Sequence, residues 1–288
     1  GVTTPMPDIS AKDVAALRKV SGAGMMDCKK ALEESNGDMD AAKTWLREKG
    51  LAAAGKRAGR AASQGTVDVF VEGNVGAVVE LTAETDFVAK GEGFVSAVAT
   101  LAKQVAEQGE DVAGKPYAGD PSQTVDDFVK GMAGSLGENI GLGRVARFEV
   151  AGGLIEGYKH IQQERGMIGV IVEMTGVEPS DPKAVEVGHD IALHIASAAP
   201  RWVTREDVPA DVIEAEKQVL ENLTRNEGKP EAAIPKIVEG RIGGFFKENC
   251  LLEQGFVRDP KVTVGSLLSG LGADAKVTRF ARIKVGEE

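Results

Sequence analysis

The sequence is poor in cysteine and has no long apolar run. Its 288 residues include only Cys28 and Cys250, which lie far apart in the chain. Two such cysteines do not make a disulfide framework, and their scarcity is typical of a reducing compartment. No run approaches the roughly 18 apolar residues of a membrane-spanning helix, and the first residues lack a secretory leader pattern. We therefore expect no disulfide, membrane span or leader, and a cytoplasmic location or, alternatively, an organelle matrix or stroma.

The chain also lacks an excess of basic residues. Lys and Arg total 34 and Asp and Glu total 44, for a net charge of −10, which argues against nucleic acid as a partner. At about 150 residues per domain, the length predicts roughly two domains. The charge is uneven, since residues 1–62 carry +3, residues 63–153 carry −8 and residues 154–288 carry −5. The basic start is either an ordinary solvated surface or a small module with its own partner.

Motifs of enzyme active sites are missing too. The sequence contains no Gly-x-x-x-x-Gly-Lys-Ser/Thr loop, and its Gly-x-Gly pairs lack the third glycine of a dinucleotide fingerprint. It has no Gly-x-Ser-x-Gly and no His-Glu-x-x-His. His189 and His194 are five residues apart, roughly 140° around a helix, so they do not converge on one metal ion. We therefore expect no enzyme, cofactor, metal site or small-molecule substrate.

The first fifty residues show the pattern of three short helices. Ser10 and Asp13 have the spacing of a capping box. Asp38 is placed to cap the third helix, and Gly50 is predicted to end it. A unit this small has little surface to spare, so we expect a compact helical head. Residues 51–65 then predict a linker or a short helix.

The rest of the sequence alternates between strand and helix patterns. Val67, Val69 and Val71 recur at period two, and residues 72–76 supply a hairpin turn before the next strand. The same theme, a hairpin followed by helices and a further strand, occurs a second time and predicts two related α+β halves. The predicted strands lie at about 67–71, 77–81, 144–150, 153–160, 167–175 and 276–285, and the predicted helices at about 92–108, 122–134, 182–199 and 264–271.

Residues 209–248 differ from both halves, because they show two helical arms around a break at residues 226–230. Pro235 lies inside the second arm. There it removes a backbone hydrogen bond, at a cost of about 3 kcal/mol, unless it falls in the first turn. Together these patterns predict an α+β fold with a three-helix head, antiparallel sheets in two subdomains and an inserted helical hairpin.

Two apolar features stand where water-facing residues are expected. Met25 and Met26 directly follow a glycine-rich turn at residues 22–24, which is predicted to end the first helix. Exposed methionines suit an adaptable protein contact; the alternative is that both fill the small helical core. Phe87, in the sequence Thr-Asp-Phe at residues 85–87, is either an exposed tip or a core residue behind a helix cap.

Six segments of the sequence are informative together: GAGMMDCKKAL at residues 22–32, AETDFVAK at 83–90, GENI at 137–140, YKH at 158–160, IALHIA at 191–196 and VEGR at 238–241. In this order they resemble the elongation factor Ts family, and the resemblance covers about residues 8–286. Residues 161–165 depart from the family pattern, because they lengthen the turn after His160.

The resemblance implies a division into domains. A ubiquitin-associated-like helical head is expected at residues 8–53, a core N-terminal subdomain at residues 54–152 and a core C-terminal subdomain at residues 153–286. A coiled-coil hairpin at residues 209–248 is inserted into the last of these. This division agrees with the helix and strand patterns described above.

The resemblance also implies an activity, guanine-nucleotide exchange on elongation factor Tu. The family binds this GTPase in its GDP form and promotes the release of GDP and Mg²⁺ during translation elongation. No covalent bond changes, which agrees with the missing catalytic motifs. Two alternatives stay open, a protein-binding adaptor without exchange activity and a small-molecule enzyme with an unrecognised site.

The family pattern further implies which residues contact the partner. Arg18, Met25 and Met26 match head positions that contact its nucleotide-binding domain. Leu136 matches a core contact on the same domain, and His160 matches a contact on a more distal domain.

Asp86 and Phe87, preceded by Thr85, match the pair that intrudes beside the Mg²⁺ site of the partner. A Phe ring has only two side-chain torsions and so forms a stiff wedge. The carboxylate beside it would disturb a site in which Mg²⁺ and phosphates balance each other's charge. The resemblance therefore implies that these residues are the wedge for nucleotide exchange.

Overall fold

The computed structural model describes residues 8–21 and 23–287, without the side chains of residues 51–54. Three helices form the head that the sequence predicts. They close around a small core in which Leu17, Cys28 and Leu32 are fully buried. The helices are α1 (Ala11–Ser21), α2 (Met25–Glu34) and α3 (Met39–Arg57).

Side chains cap two of the helices in the head, with the Ser10 half of the expected capping box. The Ser10 hydroxyl accepts a hydrogen bond from Asp13 N at 3.1 Å, and the Asp38 carboxylate accepts one from Ala41 N at 2.9 Å. Each cap satisfies an amide that has no partner within its own helix. The predicted turn after α1 begins at Gly22, which lies outside the described residues.

The prediction that Gly50 ends the third helix is wrong. α3 continues to Arg57, and Gly50 lies where α3 packs against α6 (Val125–Leu136). A Cβ atom on Gly134 of α6 would stand 2.2 Å from the Cα atom of Gly50. Two helix backbones approach this closely only where side chains are absent. Gly50 is therefore explained by helix packing, and the start of the predicted linker is helical.

The first half of the body is built on a three-stranded antiparallel sheet. Its first two strands form a hairpin whose turn residues are Gly73, with φ of 61°, and Asn74. A separate two-stranded hairpin precedes α6. The further elements are β1 (Gln64–Glu72), β2 (Val75–Ala83), α4 (Asp86–Ala89), α5 (Glu92–Gln108), β3 (Pro116–Tyr117), β4 (Asp120–Thr124) and β5 (Gly141–Glu149). The strand order in the sheet is β1-β2-β5.

The second half repeats this arrangement. A hairpin and a final strand form a second three-stranded sheet, and a short hairpin and helix again precede that final strand. The elements are β6 (Leu154–Gln162), β7 (Arg165–Thr175), α7 (Pro182–Ala198), α8 (Ala210–Asn226), α9 (Ile234–Asn249), β8 (Gly255–Phe256), β9 (Asp259–Thr263), α10 (Val264–Ser269) and β10 (Lys276–Lys284). The strand order is β10-β7-β6, so the predicted pair of related halves is confirmed.

The two sheets pack against each other. Val67, Val78, Ile155 and Ile171 are buried between them. A Cβ atom on Gly169 of β7 would stand 2.5 Å from a methyl carbon of Val67. The missing side chain at Gly169 thus lets the two sheets approach, and their apolar side chains exclude water between them.

α8 and α9 form the inserted helical hairpin that the sequence predicts. Pro235 lies in the first turn of α9, where a missing N–H removes no helical hydrogen bond. Arg241 of α9 joins the two arms, because its guanidinium donates to Thr224 Oγ1 at 3.0 Å and to a Glu227 carboxylate oxygen at 2.7 Å. The second arm therefore begins without the cost that an interior proline would bring.

The fold is α+β, with a helical head and antiparallel sheets, as the sequence predicts. The domain limits at residues 53/54 and 152/153 stay a prediction, and α3 passes through the first of them. Over the part of the chain that the structure describes, no helix is long and apolar enough to cross a membrane.

Candidate interaction surface

α4 is a single helical turn that presents Phe87 to solvent. Thr85 is its N-cap, and the Thr85 hydroxyl oxygen accepts a hydrogen bond from Val88 N at 3.3 Å. Phe87 is 78% exposed, and Asp86 beside it is exposed as well. The alternative predicted a helix cap followed by a Phe in the core. The cap is present, but the Phe87 ring is exposed and does not lie in the core.

Neighbouring side chains hold this turn in place. The buried Thr66 hydroxyl donates to the carbonyl oxygen of Ala89 at 2.6 Å, which satisfies an acceptor at the end of α4. Lys90 Nζ lies 5.7 Å from the centre of the Phe87 ring and 4.0 Å from a carboxylate oxygen of Glu164, in the turn between β6 and β7. The tip is therefore connected to both sheets.

Two carboxylates join the segment before α4 to the segment after α6. Glu138 Oε1 accepts hydrogen bonds from Glu84 N at 3.1 Å and Thr85 N at 3.0 Å, and Glu138 Oε2 accepts one from the Thr85 hydroxyl at 2.7 Å. In return, Glu84 Oε1 accepts a hydrogen bond from Asn139 N at 2.7 Å. The Asn139 side chain donates to Arg60 O at 2.7 Å, so the chain that leaves the head belongs to the same network.

Leu136 lies beside this network. It is the last residue of α6 and is 43% exposed, and Gly137 ends the helix in the left-handed conformation, with φ of 72°. Glu138 follows directly and is hydrogen-bonded to Thr85, two residues before Phe87. The structure thus brings Leu136 and the α4 tip to one region of the molecule.

Arg18, Met25 and Met26 surround one groove of the head. Met25 is 58% exposed and Met26 is 76% exposed, and with Arg18 and Val14 they line a groove between α1 and α2. The alternative that both methionines fill the head core is wrong. Cys28, one turn further along α2, is fully buried and fills that core instead.

His160 lies apart from these features, on β6 of the second sheet. The imidazole Nδ1 lies 3.1 Å from the Tyr158 hydroxyl. The expectation of a longer turn after His160 is wrong, because β6 continues to Gln162 and only two residues form the turn. These are Gln163 and Glu164, with φ of 53° and 64°, the left-handed conformation that two-residue hairpins favour.

A buried histidine supports the second half. His194 of α7 has no exposed surface; its Nδ1 accepts a hydrogen bond from Val257 N at 3.2 Å, and its Nε2 donates to Gln254 Oε1 at 2.8 Å. One accepting and one donating nitrogen define the neutral imidazole. Burial lowers the pKa of His194, and the hydrogen bond with Gln254 opposes that shift in part. This histidine has a structural role in the fold.

The described residues contain no cluster of His, Cys, Asp or Glu side chains that could hold a metal ion. The residues that support the α4 tip have no spacing pattern in the sequence. Thr66 and Lys90 belong to no repeating pattern of residue types, and Glu138 lies 53 residues from Thr85 in the sequence. The one available signal is that Lys90 and Glu138 fall within segments that resemble the family.

The fold and the surface define a class of protein in which an α+β framework presents exposed apolar side chains on supported turns and helices. Among the exposed apolar side chains, Met25 and Met26 lie together at the head groove, and Leu136 and Phe87 lie near each other on two segments that Glu138 joins. Large apolar side chains that group on a surface mark sites of contact with other macromolecules. The framework thus has the features of a protein that acts by binding.

Comparison with known proteins gives the family. The family model described as Elongation factor TS matches residues 84–287. Elongation factor Ts of Acidothermus cellulolyticus is 46% identical over 285 residues, which cover 98% of this chain and 100% of the relative. The corresponding proteins of Micrococcus luteus and Rhodospirillum rubrum are 43% and 42% identical, over 98% of this chain and 100% and 94% of their own lengths. The chain belongs to the elongation factor Ts family.

Proposed function

We propose that this protein is a guanine-nucleotide exchange factor for elongation factor Tu. It binds the GDP form of that GTPase and promotes the release of GDP and Mg²⁺. Membership of the elongation factor Ts family supports the proposal. The observation that carries it is Phe87, 78% exposed on a capped turn with the Asp86 carboxylate next to it.

The Phe87 ring acts as a wedge in this proposal. Burial of a Phe side chain stabilises a complex by about 1.5–3 kcal/mol. That energy promotes GDP release only if the ring is buried more fully in the open state of the nucleotide site than in the closed state. Asp86 acts on the same site, because its negative charge repels phosphates and competes with them for Mg²⁺.

The exchange reaction changes no covalent bond, and thermodynamic linkage governs it. If binding of this protein weakens the affinity of elongation factor Tu for GDP by some factor, GDP weakens the affinity for this protein by the same factor. A nucleotide that rebinds the GTPase therefore drives the exchange factor off. The protein is then free to act on another molecule of GTPase.

Side chains outside α4 hold the partner while the tip acts. We assign Arg18, Met25 and Met26, on a head at residues 8–53, and Leu136 to contacts with the nucleotide-binding domain of elongation factor Tu. His160 contacts a more distal domain. The methionines suit this task, because their flexible side chains adapt to a partner surface.

Stopped-flow fluorescence tests the proposal. Elongation factor Tu is loaded with a fluorescent GDP analogue and mixed with excess unlabelled GDP and micromolar amounts of this protein. We expect GDP release at least about tenfold faster than without the protein. This corresponds to an activation free energy lower by about 1.4 kcal/mol. Unchanged release would contradict exchange activity, and a complex detected by pull-down under the same conditions would then identify an adaptor.

A further inference from the structure

We propose that Glu138 is a positioning residue for the exchange tip. Its carboxylate sets the direction of Phe87 before any partner is bound, although Glu138 itself lies 53 residues away in the sequence from the Thr85 that it contacts. This inference rests on the proposed exchange function and names the residue on which the tip depends.

α4 cannot set its own direction. It has four residues, Asp86–Ala89, and helices far longer than this are only marginally stable by themselves in water. The Phe87 ring has little contact with the rest of the molecule, because most of it is exposed. The orientation of the ring therefore depends on what fixes the turn. Val88 and Ala89 pack against the core of the first half, Lys90 Nζ lies 5.7 Å from the ring centre, and hydrogen bonds hold the two ends.

Glu138 fixes the N-terminal end through the Thr85 hydroxyl. That hydroxyl has a single proton and donates it to Glu138 Oε2 at 2.7 Å. An oxygen lone pair then remains to accept the hydrogen bond from Val88 N at 3.3 Å. With Glu138 removed, the hydroxyl is free to rotate, and the helix cap loses its fixed orientation.

Glu138 also fixes the backbone that leads into the turn. Its Oε1 accepts hydrogen bonds from the consecutive amides of Glu84 and Thr85, and hydrogen bonds to an ionised acceptor are stronger than neutral ones. The C-terminal end of α4 is held independently, by the Thr66 hydroxyl on Ala89 O. Loss of Glu138 therefore removes three hydrogen bonds from the N-terminal end of the turn and leaves there the bond of the Glu84 carboxylate with Asn139 N, while the C-terminal end stays attached.

A loosened tip should affect the two steps of exchange differently. In the proposed function, binding of the GDP complex depends on the head contacts, on His160 and on Leu136. The first two lie outside the Glu138 network, and Leu136 lies beside it but takes no part in the hydrogen bonds of Glu138. Opening of the nucleotide site depends on a ring that is already aimed, because a mobile ring must first be ordered. Loss of Glu138 is thus expected to lower the maximal release rate far more than it raises the concentration for half-maximal effect.

The experiment compares Glu138→Ala and Glu138→Gln with the unchanged protein in the stopped-flow assay. Asp207→Ala is the matched control. Asp207 Oδ2 accepts hydrogen bonds from Thr204 N and from the Thr204 hydroxyl, both at 3.0 Å, so it makes the same kind of contact in the second half of the body. A loss caused merely by a missing surface carboxylate would appear in both alanine variants.

We expect Glu138→Ala to lower the maximal release rate about tenfold, or about 1.4 kcal/mol, and to leave the half-saturating concentration within twofold. Glu138→Gln keeps an oxygen for the two amides and should stay within about threefold of the unchanged protein. Asp207→Ala should release GDP at the unchanged rate. An unchanged maximal rate for Glu138→Ala would overturn the proposal, and so would an equal loss in Asp207→Ala.

Hydrogen exchange in the free protein separates this proposal from the proposed function. The Thr85 amide should exchange faster in Glu138→Ala than in the unchanged protein, whether or not either protein acts on a GTPase. If Glu138→Ala does not fold, Thr85→Val keeps nearly the same side-chain shape and removes the hydroxyl that donates to Glu138 and caps Val88 N, so it should lower the maximal rate at least as much. Unchanged exchange of the Thr85 amide, or full activity of Thr85→Val, would overturn the positioning role.

Discussion

The two halves of the body share a framework but differ in what is inserted into it. The first half has α4 between β2 and α5, where the second half has only residues 176–181 between β7 and α7. The second half has α8 and α9 between α7 and β8, where the first half has only residues 109–115. The proposed exchange tip therefore lies in a segment that the repeated framework does not require.

The repeat extends to individual residues. The short hairpins contain the same Asp-Pro-x-x-Thr-Val pattern, at residues 120–125 and 259–264. Thr124 and Thr263 are the N-caps of the helices that follow, α6 and α10. Because a cap depends on the local sequence, this part of the framework is specified in the same way in both halves.

The buried polar group beneath the short hairpin differs between the halves. In the first half, Gln104 Oε1 accepts a hydrogen bond from Ala118 N at 2.8 Å. In the second half, His194 Nδ1 accepts one from Val257 N at 3.2 Å. Both side chains are fully buried. An amide does not titrate and an imidazole does, so of these two buried groups only His194 can change its charge with pH.

The largest stability effect is expected where the first half packs against the head. In Gly134→Ala, the new methyl group would stand 2.2 Å from the Cα atom of Gly50, and one of the two helices must move. We expect the free energy of unfolding to fall by about 1–3 kcal/mol, measured by urea denaturation.

Gly131→Ala is the control for that variant. Gly131 lies one turn earlier in α6, and a Cβ atom there would meet nothing within 4 Å. Alanine at this position should leave stability unchanged or raise it by up to about 1 kcal/mol. Equal effects of the two substitutions would show that the close approach of α3 and α6 does not matter.

The next effect is on the pH dependence of stability and follows from the difference between Gln104 and His194. Burial lowers the pKa of His194 in the folded protein below its ordinary value, so the unfolded chain binds the proton more readily. Stability from the neutral imidazole is then fully present above about pH 6.5 and is lost as the pH falls toward the lowered pKa. His194→Gln should remove this part of the pH dependence.

Urea denaturation midpoints at pH 7.5 and pH 5.5 give the measurement. The unchanged protein should lose more stability between these two pH values than His194→Gln does. An identical loss in both proteins would mean that other groups cause the acid sensitivity. Replacing Gln104 of the first half by His194 in the second half would then not make stability depend on pH.

The smallest effect on the free protein is expected from Met26→Ala. Met26 is mostly exposed, so the unfolding free energy should stay within about 0.5 kcal/mol. Binding should weaken by more than about 1 kcal/mol if Met26 is a principal contact of the head. Titration of the stopped-flow assay should show a higher half-saturating concentration and an unchanged maximal rate. A lower maximal rate would contradict the separation of head and tip.

Local patterns gave most of the framework. The period of apolar residues predicted a helix at 92–108, and α5 is Glu92–Gln108. The hairpin turn at residues 72–76 and the cap at Asp38 were predictable for the same reason, because each depends on residues close in sequence. The repeat of hairpin, helices and strand was visible as a repeat of such patterns.

The remaining features depend on contacts between distant residues. Gly50 resembles a helix stop until Gly134 is brought against it, and α4 is too short to have a period of its own. The exposure of Met25 and Met26 could not be decided from pattern, since a core of three short helices has room for few side chains. Family resemblance marked the segment that contains Glu138, but only the fold shows the contact with Thr85.

In the proposed exchange reaction, Phe87 opens the nucleotide site rather than merely adding affinity. Phe87→Ala, measured by stopped-flow release of fluorescent GDP over a range of protein concentrations, tests it most directly. We expect a maximal release rate at least about tenfold lower, with a half-saturating concentration changed much less. A maximal rate equal to that of the unchanged protein, with only weaker binding, would show that Phe87 adds affinity and does not open the site.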